Sequence, residues 1–143
     1  MIGIASVMES IPGKLGVASL WMVRGRVRWL DCDPTQVRRL AEAMNACRAR
    51  FMTITATELP GDEGMRLEYL WDLDGQILGF AMQLAGNTID SIFDLCPAVD
   101  WIEREVHEGF AVEFSGRVYE PLLLRRGDRM GVNLREVPNE VTP

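Results

Sequence analysis

A chain of 143 residues with 48% hydrophobic and 25% charged side chains can build one core without staples, because a domain of this size buries roughly two-thirds of its unfolded surface. Its net charge of −6 argues against nucleic acid as a partner, since phosphate recognition needs clustered cations. Cys32, Cys47, Cys96 and the single His107 are too few and too scattered for an iron–sulfur cluster or a structural zinc, which needs about four soft ligands. No apolar run reaches the roughly twenty residues of a membrane-spanning helix, so direct membrane insertion is not expected.

Residues 1–23 read as an N-terminal arm without an assigned role. A short helix over Ile2–Ile11 is stopped by Pro12-Gly13, and a strand follows through Val17–Val23. Residues 24–130 read as one α+β domain. Arg26–Leu30 resembles a short strand with one wet face. Asp33 is a good N-cap, with Pro34 at the first helical position, where its missing N–H costs nothing. Val37, Leu40, Ala41, Met44 and Cys47 then form a single apolar stripe at spacings of three and four. Phe51–Leu59 is rich in threonine and ends at a Pro60-Gly61 turn. Met65–Leu73 alternates, Asp74-Gly75 is a hairpin dipeptide, and Gln76–Leu84 is apolar enough for a more enclosed strand. The expected fold is α+β in two layers, with helices packed on a largely antiparallel mixed sheet of about four strands. Gly86-Asn87 ends the sheet region, a second helix runs from near Pro97 to about Glu108, and residues 131–143 read as an extended or frayed tail.

That second helix carries Val99, Ile102, Val106 and Phe110 on one apolar stripe. Glu103, Arg104 and Glu105 are consecutive and project about 100° apart, so at least one must lie beside the stripe. Glu103 and His107 stand at i, i+4, a spacing that suits an acid–base pair or two metal ligands, but no second histidine supports such a site. No nucleophile motif and no phosphate-cradling glycine loop occurs, and the arginines of Arg125–Arg129 read as a solvated turn. On periodicity alone the charge run is a solvated face.

Ser91-Ile92, Asp94, Pro97-Ala98, Trp101-Ile102, Glu103-Arg104-Glu105-Val106, Phe110, Phe114, Gly116 and Leu122-Leu123-Leu124 occur in that order. Together they resemble the signature of one peripheral-arm family of NADH–quinone oxidoreductase (the respiratory-chain NADH dehydrogenase), the C-type subunits, and of its membrane-hydrogenase relatives. The likeness extends over about Arg26–Arg126, and its most specific part is the Trp-x-Glu-Arg-Glu core. Three places depart from the family pattern: Gly109 replaces a bulky apolar residue, Ala111 a glycine, and Arg117-Val118 a His-Pro. This short form looks more similar to the counterparts in energy-converting, membrane-bound nickel–iron hydrogenases, or to a divergent stand-alone relative.

The resemblance implies a non-catalytic structural subunit with the fold of these C-type subunits. Such a protein docks on the large subunit of the peripheral arm and binds no cofactor itself, while its partners hold iron–sulfur clusters and nickel–iron. It further implies that Trp101, Glu103, Arg104, Glu105, Phe110, Phe114 and Gly116 contact or shape the interface. The chain would then be cytoplasmic and peripheral to the inner membrane through its complex. A free-standing interaction domain of the same fold, without a complex, is the alternative.

Overall fold

The structure, a computed structural model, describes residues 3–17, 20–136 and 138–143. In chain order its elements are α1 (Ile4–Lys14), β1 (Met22–Arg24), β2 (Val27–Asp31), α2 (Val37–Ala46), β3 (Arg50–Glu58), β4 (Met65–Leu73), β5 (Gln76–Leu84), β6 (Thr88–Asp90), α3 (Asp100–Phe110) and β7 (Glu113–Ser115). Short 3-10 turns at Pro34–Gln36 and Pro97–Val99 lead into α2 and α3.

The alternation along β4 buries Met65, Leu67, Tyr69, Trp71 and Leu73 on one face. A two-residue loop follows, with Asp74 and Gly75 at φ 52° and 91°, the left-handed pair that matches the twist of a tight hairpin. The Asp72 carboxylate accepts the Gly75 N–H at 2.9 Å and fixes that turn. β1 to β5 form one sheet in the order β1-β2-β5-β4-β3, with β2 and β5 parallel and the other neighbours antiparallel. This is the expected mixed, mostly antiparallel sheet, with one strand more than the four suggested by the pattern. The strand expected over Val17–Val23 reduces to the three exposed residues of β1; Ala18 and Ser19 lie outside the described residues.

Asp33 caps the turn into α2 through the Thr35 N–H and hydroxyl, at 2.9 and 2.6 Å. The stripe Val37, Leu40, Ala41 and Met44 is then almost wholly buried. Trp71 and Phe80 meet edge to face in the same core, and Phe51 packs edge-on against Trp71. Each such aromatic pair adds about 0.5–1.5 kcal/mol to its area burial.

α1 does not stop at Pro12; it runs on to Lys14. Proline lacks the N–H that would reach the Met8 carbonyl, and the Trp21 indole N–H takes that carbonyl instead, at 3.0 Å. The segment read as an arm also contributes Met8, Ile11 and Leu15 to the core. β6 and β7 pair in parallel on either side of α3 as a second, two-stranded sheet. Three residues each leave no alternation to read, which is why the sequence did not announce them.

The stretch after Gly131 has little regular structure, yet it is tied down. Gly131 and Asn133 donate backbone N–H groups to the Glu108 and Gly109 carbonyls, at 2.7 and 2.8 Å, and Arg135 donates its own to the Glu58 carboxylate at 2.7 Å. An antiparallel bridge joins Arg129 to Val141.

Candidate functional site

α3 is where the chain departs most from ordinary helix packing. Val99 and Val106 are buried, and Ile102 and Phe110 are partly buried against the core. Glu103 sits among them with no exposed surface at all. A carboxylate in that position is tolerable only if its oxygens are fully engaged. The Ser91 hydroxyl donates to Oε1 at 2.6 Å, the Ile92 N–H donates to Oε2 at 3.0 Å, and the Arg117 guanidinium donates to Oε1 at 3.1 Å. Ser91 Oγ itself accepts the Phe93 N–H at 3.1 Å, which leaves its own proton for Glu103. Burial pushes the Glu103 carboxyl up from the usual range, while the three donors oppose that rise and favour the carboxylate.

Arg117 is the hub of this arrangement. Its side chain is nearly as buried as that of Glu103, and its second nitrogen donates to Asp100. The guanidinium lies between the rings of Phe93 and Tyr119, 4.6 and 5.1 Å from their centroids. Burial works against its charge, but the Asp100 and Glu103 hydrogen bonds outweigh it and hold the group above its ordinary value. Arg117 first, and then Arg104 at i+4, hold Asp100 below the usual aspartate range.

From Arg117 the chain runs along the flank of α3 as a strap. The Tyr119 ring stacks on His107 at 3.8 Å with 5° between the planes, and its hydroxyl donates to the Phe114 carbonyl at 3.0 Å. Three consecutive backbone N–H groups, of Leu122, Leu123 and Leu124, then donate to the Glu108 carboxylate at 2.9, 2.8 and 3.1 Å. The strap is therefore pinned at the start, middle and end of α3. Inward residues alternate with outward ones, so pinning leaves Val118 and Leu123 outside. Trp101, Val118 and Leu123 are 69%, 88% and 71% exposed. Trp101 and Glu108 share one side of the helix and stand about 10 Å apart along it.

The C-terminus of α3 holds two of the three departures. Ala111 caps the helix at φ 55°, a left-handed position that favours glycine. A Cβ at Gly109 would stand 2.6 Å from the Asn133 amide, so the loss of a bulky side chain makes room for the tail that caps the Glu108 and Gly109 carbonyls. The third departure, Arg117, is the cation that Glu103 requires.

The residues singled out in the sequence divide by position. Glu103 and Phe114 are enclosed, Arg104 is mostly covered and paired with Asp100, Phe110 is half-buried, and Trp101, Glu105 and Gly116 are exposed. Arg117, Ser91, Glu108, Val118 and Leu123 belong to the same assembly but were not among the candidates. The hydrogen bonds that tie Ser91, Arg117, Glu108 and Leu123 to α3 and its strap span 12 to 17 residues of sequence, beyond the reach of helix periodicity. The Glu103–His107 pair does not converge: the Glu103 oxygens are taken, and His107 Nδ1 lies 2.8 Å from the Val112 carbonyl. Among the described residues no group of three or more His, Cys, Asp or Glu could hold a metal ion, and no helix is long and apolar enough to cross a membrane.

Residues 30–136 match the model of a family described as respiratory-chain NADH dehydrogenase, 30 kDa subunit. The chain belongs to this family. A curated member, the C-type subunit of NADH-quinone oxidoreductase from Rhodopseudomonas palustris (strain BisB18), is 31% identical over 77 residues, a match covering 48% of this chain and 38% of that protein. The chain thus matches well under half the length of that relative. The fold recurs in a chain of the membrane-bound sulfane sulfur reductase, an archaeal respiratory membrane complex, with TM-score 0.67, 20% identity, and coverage of 80% of this chain and 69% of that one. The trypsin-resistant fragment 1–134 of Nqo5 superposes with TM-score 0.66 at 16% identity, over 82% of this chain and 98% of the fragment.

Proposed function

We propose that the chain is a non-catalytic structural subunit of a multi-subunit oxidoreductase, of the NADH–quinone oxidoreductase or energy-converting membrane-bound nickel–iron hydrogenase type. It docks on the large subunit of the peripheral arm with the strap side of α3. In this reading the redox groups, iron–sulfur clusters and nickel–iron, reside in partner subunits. The chain itself is cytoplasmic and peripheral to the inner membrane through its complex.

One observation carries the reading: Trp101, Val118 and Leu123 are exposed on backbone held from beneath by buried charge. Large apolar groups left in water on a rigid frame suit a protein contact, because little ordering entropy remains to be lost on binding. Tryptophan is among the commonest anchors of such contacts. Glu103 and Glu108, in contrast, have their oxygens engaged within the chain, so they shape the face without touching a partner.

The test is to co-express the chain with the oxidoreductase large subunit of the same genome and measure complex formation. Trp101→Ala should weaken docking by about 2 kcal/mol, the scale of an interface anchor, and leave the thermal midpoint of the isolated chain unchanged. Equal docking by the variant, or no docking by the native chain, would overturn the reading.

A further inference from the structure

At the opposite end of α3 from Trp101 lies a groove that the docking face does not use. Met65 of β4, Phe110 of α3, and Leu134 and Pro138 of the tail give it apolar walls. The tail reaches this place because Gly109 leaves room for the Asn133 amide, so the groove depends on one of the departures from the family pattern. Its other side is the β3–β4 loop, which is held firmly. The Leu59 N–H donates to the Gly64 carbonyl at 2.9 Å, and the Gln83 side-chain amide donates to the Glu63 carbonyl at 3.1 Å. Gly64 stands at φ 89°, where a Cβ would collide with the Leu84 carbonyl, so only glycine lets the loop approach β5 this closely.

The charged residues that line the groove are Glu58, Asp62 and Glu140, and no cation lines it. The two segments that carry them, residues 58–64 and 134–140, hold five acids against Arg135 alone, which places −4 of the net −6 here. Among the described residues none of the five acids is ion-paired. Glu58 accepts the neutral Arg135 N–H on Oε2 at 2.7 Å, which leaves Oε1 to a partner. Arg66, next to Met65 in β4, faces the other side of the sheet and pairs with Glu68 at 3.5 Å. Phe110 and Ala111, the last residue of α3 and its cap, bring the negative end of the helix dipole to the same wall.

We propose that this groove receives a basic, extended segment of a partner protein. Arginine or lysine side chains of the segment pair with Glu58, Asp62 and Glu140, while its apolar parts lie on Met65, Phe110, Leu134 and Pro138. A volume of about 490 Å3 is ordinary for a binding site and does not choose the occupant; the lining does. Long cationic side chains join an apolar stem to a charged head, the two chemistries that the walls and the rim present. A metal ion fits less well, because among the described residues no group of three or more His, Cys, Asp or Glu could hold one. A second copy of the chain carries a net charge of −6 itself and is repelled at long range. The contact rests on the docking reading only in supposing that a partner protein exists, and it does not involve Trp101.

The test uses the full chain and a fluorescein-labelled peptide of arginines around a central leucine, followed by fluorescence anisotropy. Binding should saturate, weaken as salt is raised, and fall about tenfold in the triple variant Glu58→Gln, Asp62→Asn, Glu140→Gln. Should that variant have a lowered thermal midpoint, Asp62→Asn alone, at an exposed loop position, should still weaken binding by about threefold. A control variant at exposed acids outside the groove, Glu9→Gln, Glu42→Gln, Glu120→Gln, should bind as the native chain does, which separates the groove from the overall charge. Trp101→Ala should also bind the peptide normally, so a failure of the docking reading shows up separately. No saturable binding, equal binding by the groove variants, or an equal fall in the control variant would each overturn the proposal. So would equal binding of a polyarginine lacking the leucine, displacement by spermidine at the peptide's own concentration, loss of binding in Trp101→Ala, or a dimer in sedimentation equilibrium that the groove variants dissolve.

Discussion

α2 and α3 pack into the same core by different means. On α2 the stripe Val37, Leu40, Ala41 and Met44 is unbroken, and the ion pair that ties the helix to a distant segment, Arg38 to Asp94, stands in solvent with side chains 40% and 63% exposed. On α3 the stripe is interrupted by Glu103, whose ion pair with Arg117 is enclosed, the side chains being 0% and 5% exposed. An apolar stripe stabilises without specifying much, because dispersion and water exclusion have no direction. A buried carboxylate with three donors admits only one arrangement of the segments that supply them. The α2 contact holds the fold together, and the α3 contact also fixes where a strap and three exposed apolar side chains lie.

The strongest way to break this comparison is to remove the buried cation. Arg117→Ala leaves Glu103 charged and unpaired in the core, so the isolated chain should lose about 3–5 kcal/mol in urea denaturation. The double variant Glu103→Leu, Arg117→Met should recover most of that loss, because apolar replacement of a buried pair is often neutral. Its strap should nonetheless be cut faster by proteases between Gly116 and Pro121, since the anchor that directs it is gone. A double variant as resistant as the native chain would show that the pair specifies nothing.

Next in size comes the helix end. Ala111→Gly should stabilise the isolated chain by about 1 kcal/mol, read as a raised thermal midpoint, because glycine adopts a left-handed cap without a Cβ penalty. Any loss of stability there would mean that the Ala111 methyl packs better than its backbone suffers.

Arg38→Ala supplies the counterpart on α2 and should move the urea midpoint far less than Arg117→Ala does, because exposed pairs are screened and flexible. Comparable losses would erase the distinction between the two helices.

The smallest effect is on the acid limb. Asp100 is held below its ordinary range by Arg117 and Arg104, so its contribution is present above that range and is lost as pH falls through the lowered value. Glu103 acts with the opposite sign: burial favours its protonated form, and that contribution is lost as pH rises through the raised value. Asp100→Asn should therefore flatten the fall of stability below about pH 4, as followed by circular dichroism. An unchanged slope would mean that other carboxylates govern acid unfolding.

Periodicity made α2 and β4 readable, since each repeats its pattern over nine residues or more, while apolarity marked β5 and the Asp74-Gly75 dipeptide the hairpin between the strands. β1, β6 and β7 are three residues each and carried no repeat. The apolar stripe of α3 was readable, and so was the need for one of Glu103, Arg104 and Glu105 to lie beside it. Which of them goes inside depends on Ser91, Ile92 and Arg117, and helix periodicity carries no information about segments so far apart. Arg117, Gly109 and Ala111 looked like losses against the family pattern, yet Arg117 and Gly109 are working parts: Arg117 neutralises Glu103, and Gly109 admits the tail. Leu123 stood out only as part of the Leu122-Leu123-Leu124 run and Val118 only beside Arg117; a hydrophobic residue in a loop is common, and the pinned strap is what leaves these two notable.

Everything proposed for α3 turns on whether its strap side meets a partner while the charges beneath only hold it in shape. Titration of the large subunit of the same genome into the native chain, Trp101→Ala and Leu123→Asp, by isothermal calorimetry with thermal midpoints measured alongside, tests this most directly. Both variants should keep the native midpoint and lose at least about tenfold in affinity. Native affinity in both variants would contradict the docking role.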